Sequence, residues 1–499
     1  MSLESRLQAV SYPTVHAAAR GATYDPAAFH RLKPELQAPH RRLRLARRFP
    51  TLRTTHPAMK YLLFILATAC AAVLQLPAAD AQPAVRARVD AELPRLLELY
   101  KHLHANPEIS FQEVKTSARV ADELKQAGFE VTTKVGGHGV VGVLKNGPGP
   151  TVLVRTDLDG LPVLEETGLP YASKARTKDD KGNDVPTMHA CAHDIHMTSF
   201  IGTARVLNAL REKWSGTLVF IGQPAEERVG GAKAMLAEGL YKRFPRPDYC
   251  LALHAASDLP AGMVGHTEGY ALANADTVDI LVRGMSGHGA WPHLTKDPIV
   301  LSAQIILGLQ TIVSRETSPT DPAVVTVGSI HGGTKHNIIP DEVRLQLTLR
   351  SYSDEVRDAS IASLKRIVRG QALAAGIPEK LLPVVEVSEE GAKSTYNDPA
   401  LTKRLMGAIG RWLGDGNIVA KKPVMGAEDF GLYGRVEPKI PICIFWLGTI
   451  TKESVTQSIK TGKTLPSLHS SKFAPVPEPT LKTGVTAMTA AVLELVGKK

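Results

Sequence analysis

From residue 82 onward the apolar positions alternate between two spacings. Residues 88–104 and 112–127 read as amphipathic helices, with apolar side chains three and four apart. Residues 140–144 and 151–156 are short β-branched runs that predict strands, and a helix is expected over 193–210. A strand at 217–222, a helix near 231–240 and a strand at 249–254 continue the series. Strands alternating with helices predict an α/β fold, with a mostly parallel sheet covered by helices on both faces. Sites in such sheets form at the carboxyl ends of the strands.

The pattern changes near Asn274. Strands are expected at 276–283, 323–329, 342–351 and near 383–387, with helices at 298–314 and 354–375. That order, strand–helix–strand–strand–helix–strand, is the ferredoxin-like α+β unit. The α/β alternation then resumes with a helix at 398–413, a strand at 442–447 and a closing helix at 478–497. The expected organisation is therefore a larger α/β domain in two parts, 82–273 and 389–499, around an inserted smaller domain at 274–388. The polar stretch 451–466 reads as a loop, the least ordered part of the mature chain. No internal repeat is present.

Charge changes this picture only at the N-terminus. The chain of 499 residues carries a formal net charge of +10, but residues 1–58 hold nine Arg and one Lys against three acids. The remaining body is only slightly positive, which gives no case for a nucleic-acid partner. Met59-Lys60 opens a run from Tyr61 to Leu74 that is apolar apart from Thr68, and Ala79-Asp80-Ala81 follows. A short basic start, an apolar run and an Ala-x-Ala site make a secretory signal peptide over 59–81, cut after Ala81. A membrane span needs about 20 apolar residues, more than this run offers. An uncleaved N-terminal anchor is the alternative, and a lipid on Cys70 fits less well because the apolar run continues past it. Residues 1–58 read as an untranslated or unstructured extension, with Met59 as the true start. The expected location is the bacterial periplasm or the exterior, with no membrane role beyond export.

After removal of Cys70 three cysteines remain, an odd number that argues against a disulfide framework. Cys250 and Cys443 sit in apolar runs and read as small core residues. Cys191 lies in Met188-His-Ala-Cys-Ala-His-Asp-Ile-His196, two residues from His193 and just before a predicted helix. A thiolate and an imidazole so close can hold a divalent ion; singly they would read as a buried thiol and a satisfied histidine. Gln223-Pro-Ala-Glu226-Glu227 follows an apolar strand. One carboxylate there can bind metal while the other moves a proton; the alternative is a solvated acidic loop. His254 ends a strand and His469 lies near the C-terminus. With Cys191, His193 and Glu227 they make enough ligands for two ions. Other chemistries fail: there is no His-Glu-x-x-His, Gly284-Met-Ser-Gly-His288 lacks the last glycine of a nucleophile elbow, and Gln457 stands where a phosphate loop ending at Gly462-Lys-Thr464 needs glycine.

These motifs, with Gly287-His-Gly-Ala-Trp-Pro-His293, Asn337-Ile-Ile-Pro340 and Gly426-Ala-Glu-Asp-Phe430, occur in the order of a known family. The chain resembles the aminoacylase and glutamate-carboxypeptidase-like dinuclear metallopeptidases over about residues 90–497, and most of all their hippurate hydrolase and auxin–amino acid conjugate hydrolase branch. The resemblance implies Cys191, His193, Glu227, His254 and His469 as metal ligands and Glu226 as general base. It implies that His288, in the inserted domain, reaches the site of a partner subunit and steadies the developing oxyanion. Asn337 and Arg350 would bind the substrate carbonyl and carboxylate, and Asp157 and Asp159 would support the ligands. The implied cofactors are two divalent ions, zinc or manganese, with cobalt as a further fit. The implied assembly is a homodimer, or a higher homo-oligomer, formed through the inserted lid domain. The implied reaction is hydrolysis of the amide bond of small N-acyl amino acids; a dipeptidase or carboxypeptidase on the same scaffold, and a metal-binding protein without catalysis, are the alternatives. Ala192 departs from a usual Gly, Gly289 from a usual Ala, and Trp291 from a smaller residue.

Overall fold

The computed structural model describes residues 81–498; the expected extension 1–58 and all of the expected signal segment except Ala81 lie outside the described residues. The described chain opens with helices α1 (Gln82–Ala105) and α2 (Val114–Gln126), then strands β1 (Glu130–Val135), β2 (Gly139–Asn146) and β3 (Thr151–Asp157). Helix α3 (His193–Ala209), β4 (Gly216–Gln223), α4 (Gly231–Ala237), β5 (Tyr249–Pro260) and β6 (Val264–His266) follow. Next come β7 (Asn274–Arg283), α5 (Pro298–Thr311), β8 (Ala323–Gly332), β9 (Glu342–Ser351), α6 (Asp354–Ala374) and β10 (Val384–Val387). The chain closes with α7 (Pro399–Leu413), β11 (Ile418–Ala420), β12 (Ile442–Ile450), α8 (Lys452–Thr461) and α9 (Pro477–Val496).

Eight strands form the main sheet in the order β1-β2-β4-β3-β5-β12-β6-β11. Its centre is parallel, β4 to β3 to β5 to β12, and antiparallel pairs lie towards the edges. The period-2 rule explains why both faces are covered. In β3, Val152 and Val154 join one buried cluster while Leu153 joins the other. In β12, Cys443, Phe445 and Leu447 face the first cluster, and Ile442, Ile444 and Trp446 the second. Strands buried on both faces must read as continuous apolar runs, as these do. The fold is thus the expected α/β class.

A second sheet, β8-β9-β7-β10, is antiparallel throughout and is built from the chain between the two parts of the main sheet. Here one face only is apolar: Leu345, Leu347 and Leu349 pack on Leu301, Ile305 and Leu364 of α5 and α6. The alternate positions Thr348 and Arg350 therefore point to the other face. Asn274 pins the two crossings of the chain together, accepting from Ser394 N at 2.9 Å and donating to the carbonyls of Tyr352 and Ser353 at 3.2 Å.

Four elements differ from the sequence reading. Residues 452–461, expected as loop, form α8, capped by Thr451 on Ser454 N and ended by left-handed Gly462 (φ 69°). None of its residues is buried, so no apolar period marks it; the signal lies in the caps alone. Strand β1 was unanticipated because it is a mostly exposed edge strand, and β6 and β11 because they are three residues long.

Candidate metal centre and active-site cavity

Strands β3, β4 and β5 deliver Asp157, Gln223 and His254 to one edge of the main sheet. The loop after β4 carries Glu226 and Glu227. Helix α3 begins at the same edge, with Cys191 and His193 on either side of Ala192. Ala192 (φ 64°), Ala225 (φ 49°), Val229 (φ 53°) and His469 (φ 67°) are left-handed without being glycine. Such backbone costs roughly 1–3 kcal/mol per residue and persists only where neighbours enforce it. Here they do: His469 N donates to Ala190 O at 2.9 Å, Ala225 N to Glu113 Oε1 at 2.7 Å and Glu227 N to Asp159 Oδ2 at 3.0 Å.

The result is a tight cluster of ligand atoms. Cys191 Sγ lies 3.6 Å from His254 Nε2 and 3.3 Å from His469 Nε2. Glu227 Oε2 is 3.5 Å from His469 Nε2, and His193 Nε2 is 3.8 Å from both Glu226 Oε2 and Glu227 Oε1. Hydrogen bonds set the imidazole orientations. His193 Nδ1–H donates to Asp159 O and His254 Nδ1–H to Ala255 O, each at 2.8 Å, which turns both Nε2 lone pairs into the cluster. His196 lies close by, but both its nitrogens are engaged: Nε2 accepts from Ala255 N and Nδ1–H donates to Asp157 Oδ1, each at 2.8 Å. It supports the strand end that carries His254 and has no free lone pair for an ion.

Behind the cluster Arg155, fully buried, spends its donors on Gln223 (3.0 Å), Asp157 (2.8 Å), Glu428 (2.9 and 3.3 Å) and Asp429 (3.2 Å). Even so, negative charge exceeds positive. Burial and the charges of Glu428 and Glu227 push the Glu226 carboxyl up well above its usual range. Burial pulls the His193 imidazole down, but Asp157, Asp159 and Glu227 outweigh it and hold it up at about 10. His254, with less carboxylate around it, is driven down to about 3 by burial and stays neutral. The His193 position therefore demands a cation. A divalent ion answers the same demand in place of the proton, leaving the imidazole free to coordinate. Two buried atoms that face the cluster, His193 Nε2 and Glu227 Oε1, have no hydrogen-bond partner. By charge and by unsatisfied donor atoms, Cys191, His193, Glu227, His254 and His469 fit metal ions.

The cluster opens into a cavity of about 550 Å³. Its walls differ. Leu272, Val424, Met425, Trp446 and Leu468 form an apolar wall on the main-sheet side, while Thr277, Thr348 and Arg350 of the second sheet form a polar wall opposite. Of the residues singled out from sequence, Cys191, Glu226, Glu227, His254, His469 and Arg350 line this cavity, and His193 lies directly beneath. His288 and Asn337 do not. They sit together on a short, largely exposed two-stranded ribbon, where the strand Gly287–His288 pairs with Ile338–Ile339 and Gly289 N donates to Asn337 O at 2.9 Å. Reasoning from sequence had no role for Arg155, Glu428 or Trp446; a charged residue inside the apolar run Val152-Leu-Val-Arg155 was the available signal for the first.

A thiol, imidazoles and paired carboxylates gathered at the carboxyl edge of an α/β sheet define a metallohydrolase, acting on amide or peptide bonds. The chain belongs to peptidase family M20/M25/M40, whose model matches residues 153–493. It is 36% identical to N-acetylcysteine deacetylase of Bacillus subtilis (strain 168), over 71% of this chain and 88% of that one. It is 36% identical to thermostable carboxypeptidase 2 of Saccharolobus solfataricus, over 81% and 96%. Among solved structures it is similar to the Bacillus subtilis YXEP protein, a dinuclear metal binding peptidase of the M20 family, at 30% identity and a TM-score of 0.65, covering 81% of this chain and 99% of that one.

Proposed function

We propose that the protein hydrolyses N-acyl amino acids to a carboxylic acid and a free amino acid. The observation that carries this reading is Arg350. Its guanidinium is half-buried on the cavity wall, held by one hydrogen bond from Nε to Thr348 Oγ1 at 3.1 Å, and no carboxylate lies within ion-pair distance of it among the described residues. Burial lowers its pKa from the usual value. A desolvated guanidinium with free N–H groups calls for a carboxylate from the substrate. The apolar wall opposite suits an uncharged acyl group.

Cys191, His193, Glu227, His254 and His469 would hold two divalent ions, with zinc favoured by the thiolate and imidazoles. When bound, such ions polarise the amide carbonyl and ease deprotonation of the attacking water. Glu226 takes that proton and passes it to the leaving nitrogen, a role suited to a carboxyl whose pKa is raised by burial. Arg350 fixes the amino acid carboxylate. His288 acts on a second copy of the chain: its Nδ1 accepts from Ala290 N at 3.0 Å, which leaves Nε2–H outward to meet a developing oxyanion, with Asn337 beside it. Exposed Ile299, Val300 and Leu307 on α5 favour a homodimer through the inserted domain. Export through the segment 59–81 completes the reading.

The test is amino acid release from a panel of N-acyl amino acids and dipeptides, with added zinc or manganese. Metal-dependent release from N-acyl amino acids, well above that from dipeptides, is expected. Release from dipeptides alone overturns the substrate assignment in favour of a dipeptidase.

A further inference from the structure

The loop that carries Glu226 and Glu227 is gripped by the segment 108–113, which leads into α2. Gly160 N donates to Glu108 O at 2.7 Å, and Ser110 Oγ–H donates to Asp159 Oδ2 at 2.6 Å, which ties the segment to the chain just past β3. The Phe111 ring lies against Gly230, where an added Cβ would come within 2.9 Å of it, and the Arg228 guanidinium stands over that ring, 5.3 Å from its centroid. Phe111 is itself left-handed (φ 66°), and its carbonyl accepts from His138 Nε2–H at 3.1 Å.

Glu113 is the odd member of this segment. It is fully buried, yet no cation lies within ion-pair distance of it among the described residues. Burial, and then the charge of Asp159, push its carboxyl up to about 7. Glu113 Oε2 has no hydrogen-bond partner. A polar side chain at the start of a helix ordinarily caps it, but the Glu113 carboxyl makes no cap bond to α2. A buried carboxyl without a charge partner works against stability. What it does make is a hydrogen bond at Oε1, which accepts from Ala225 N at 2.7 Å.

The placement of that bond gives it a use. Ala225 is left-handed (φ 49°) and immediately precedes Glu226. Both neighbours of Glu226 are anchored through their N–H groups, Ala225 on Glu113 and Glu227 on Asp159 at 3.0 Å, and Glu226 O accepts from Val229 N at 2.7 Å. Backbone held on both sides fixes the direction in which the Glu226 side chain leaves the chain. We propose, on the reading of Glu226 as the general base, that Glu113 is its positioning residue: by fixing Ala225 it sets where the Glu226 carboxyl stands. The role does not depend on the charge of Glu113, because Oε1 still accepts when Oε2 carries a proton.

The experiment uses three metal-loaded variants of the full chain. Glu113→Met keeps the side-chain length without an oxygen acceptor, Glu113→Ala removes the side chain, and Glu113→Gln restores the acceptor without charge. Two variants lack the acceptor so that misfolding of one leaves the other to decide. Turnover of the best substrate in the panel above is measured beside metal content by elemental analysis. A reacting group displaced by about 1 Å can cost about 10²-fold. In Glu113→Met and Glu113→Ala, kcat should fall at least about tenfold, with KM and metal content near wild type, while Glu113→Gln stays within about threefold of wild type. In a Glu226→Gln background, where no base remains to be placed, Glu113→Met should leave the residual rate unchanged. A loop that was merely weakened would lose metal or lower that residual rate again, and either result overturns the proposal. A wild-type kcat without the acceptor, or equal losses in Glu113→Gln and Glu113→Met, overturns it too. All of these leave the Glu226 assignment standing. Turnover retained in Glu226→Gln alone removes the base itself, and the proposal falls with it.

Discussion

Replacing Arg350 with Gln removes a half-buried cation from the polar wall of the active-site cavity while leaving the strand around it intact. Arg350 pairs with Ala275 and Val324 across its neighbours through backbone bonds, and its side chain makes one hydrogen bond, to Thr348. The fold therefore loses little. On the proposed reading, the substrate loses its charged anchor. A hydrogen bond to a charged group contributes about 1.5–3 kcal/mol, and partial exposure places Arg350 at the lower end. About 1.5–2 kcal/mol corresponds to a roughly 10- to 30-fold fall in kcat/KM. The discriminating assay pairs each N-acyl amino acid with its neutral carboxamide. The acid should lose the full factor and the carboxamide almost none, so the preference for the acid collapses. Arg350→Lys should recover part of the preference, since a point charge replaces a planar fork. An equal loss for acid and carboxamide would refute the assignment of Arg350 to the carboxylate.

Further outcomes follow from the site geometry. Glu226→Gln should lower kcat by about 10²- to 10⁴-fold, with metal content by elemental analysis near wild type; retained turnover removes Glu226 as the base. Gly231→Ala would place a Cβ 1.6 Å from Pro224 O, so the loop bearing Glu226 and Glu227 must shift. A stability loss of about 1–3 kcal/mol, together with reduced metal content, is expected, and normal metal content would contradict it. His104 is buried between Asp194 Oδ2 (2.6 Å) and Glu165 Oε1 (3.0 Å); burial pulls its pKa down, but the two carboxylates hold it up at about 10, against 6.5 when unfolded. Its ionic contribution to stability is whole below pH 6.5 and is lost as pH rises to about 10. The denaturation-midpoint gap between wild type and His104→Gln should narrow over that window; a gap that widens with pH rules the ion pair out.

Much of the fold was legible because burial leaves a pattern. Strands covered on both faces, such as Thr151–Asp157 and Ile442–Ile450, must be continuously apolar, and the half-buried Glu342–Ser351 must alternate. Elements without a buried face left no such trace. Helix Lys452–Thr461 is all surface, and its capping residues looked like loop. In the site, ligand types clustered in sequence were readable as chemistry: Cys191 with His193, and Glu226 with Glu227. His254 and His469, far apart in the chain, carried no signal of their own beyond a strand end and a place near the C-terminus.

The sequence by itself determined the types of the elements that bury a face, the α/β class and the stock of ligand atoms, since these depend on local spacing and side-chain chemistry. Only the tertiary structure decided how those atoms meet. It turned the His193 and His254 rings by hydrogen bonds to Asp159 and Ala255, and it committed both nitrogens of His196 so that a fourth nearby imidazole is no ligand. It also set Arg350 opposite an apolar wall and left His288 and Asn337 outside that cavity. The reason is physical: ring orientation, charge excess and desolvation arise from contacts between residues tens to hundreds of positions apart, and no local spacing encodes them.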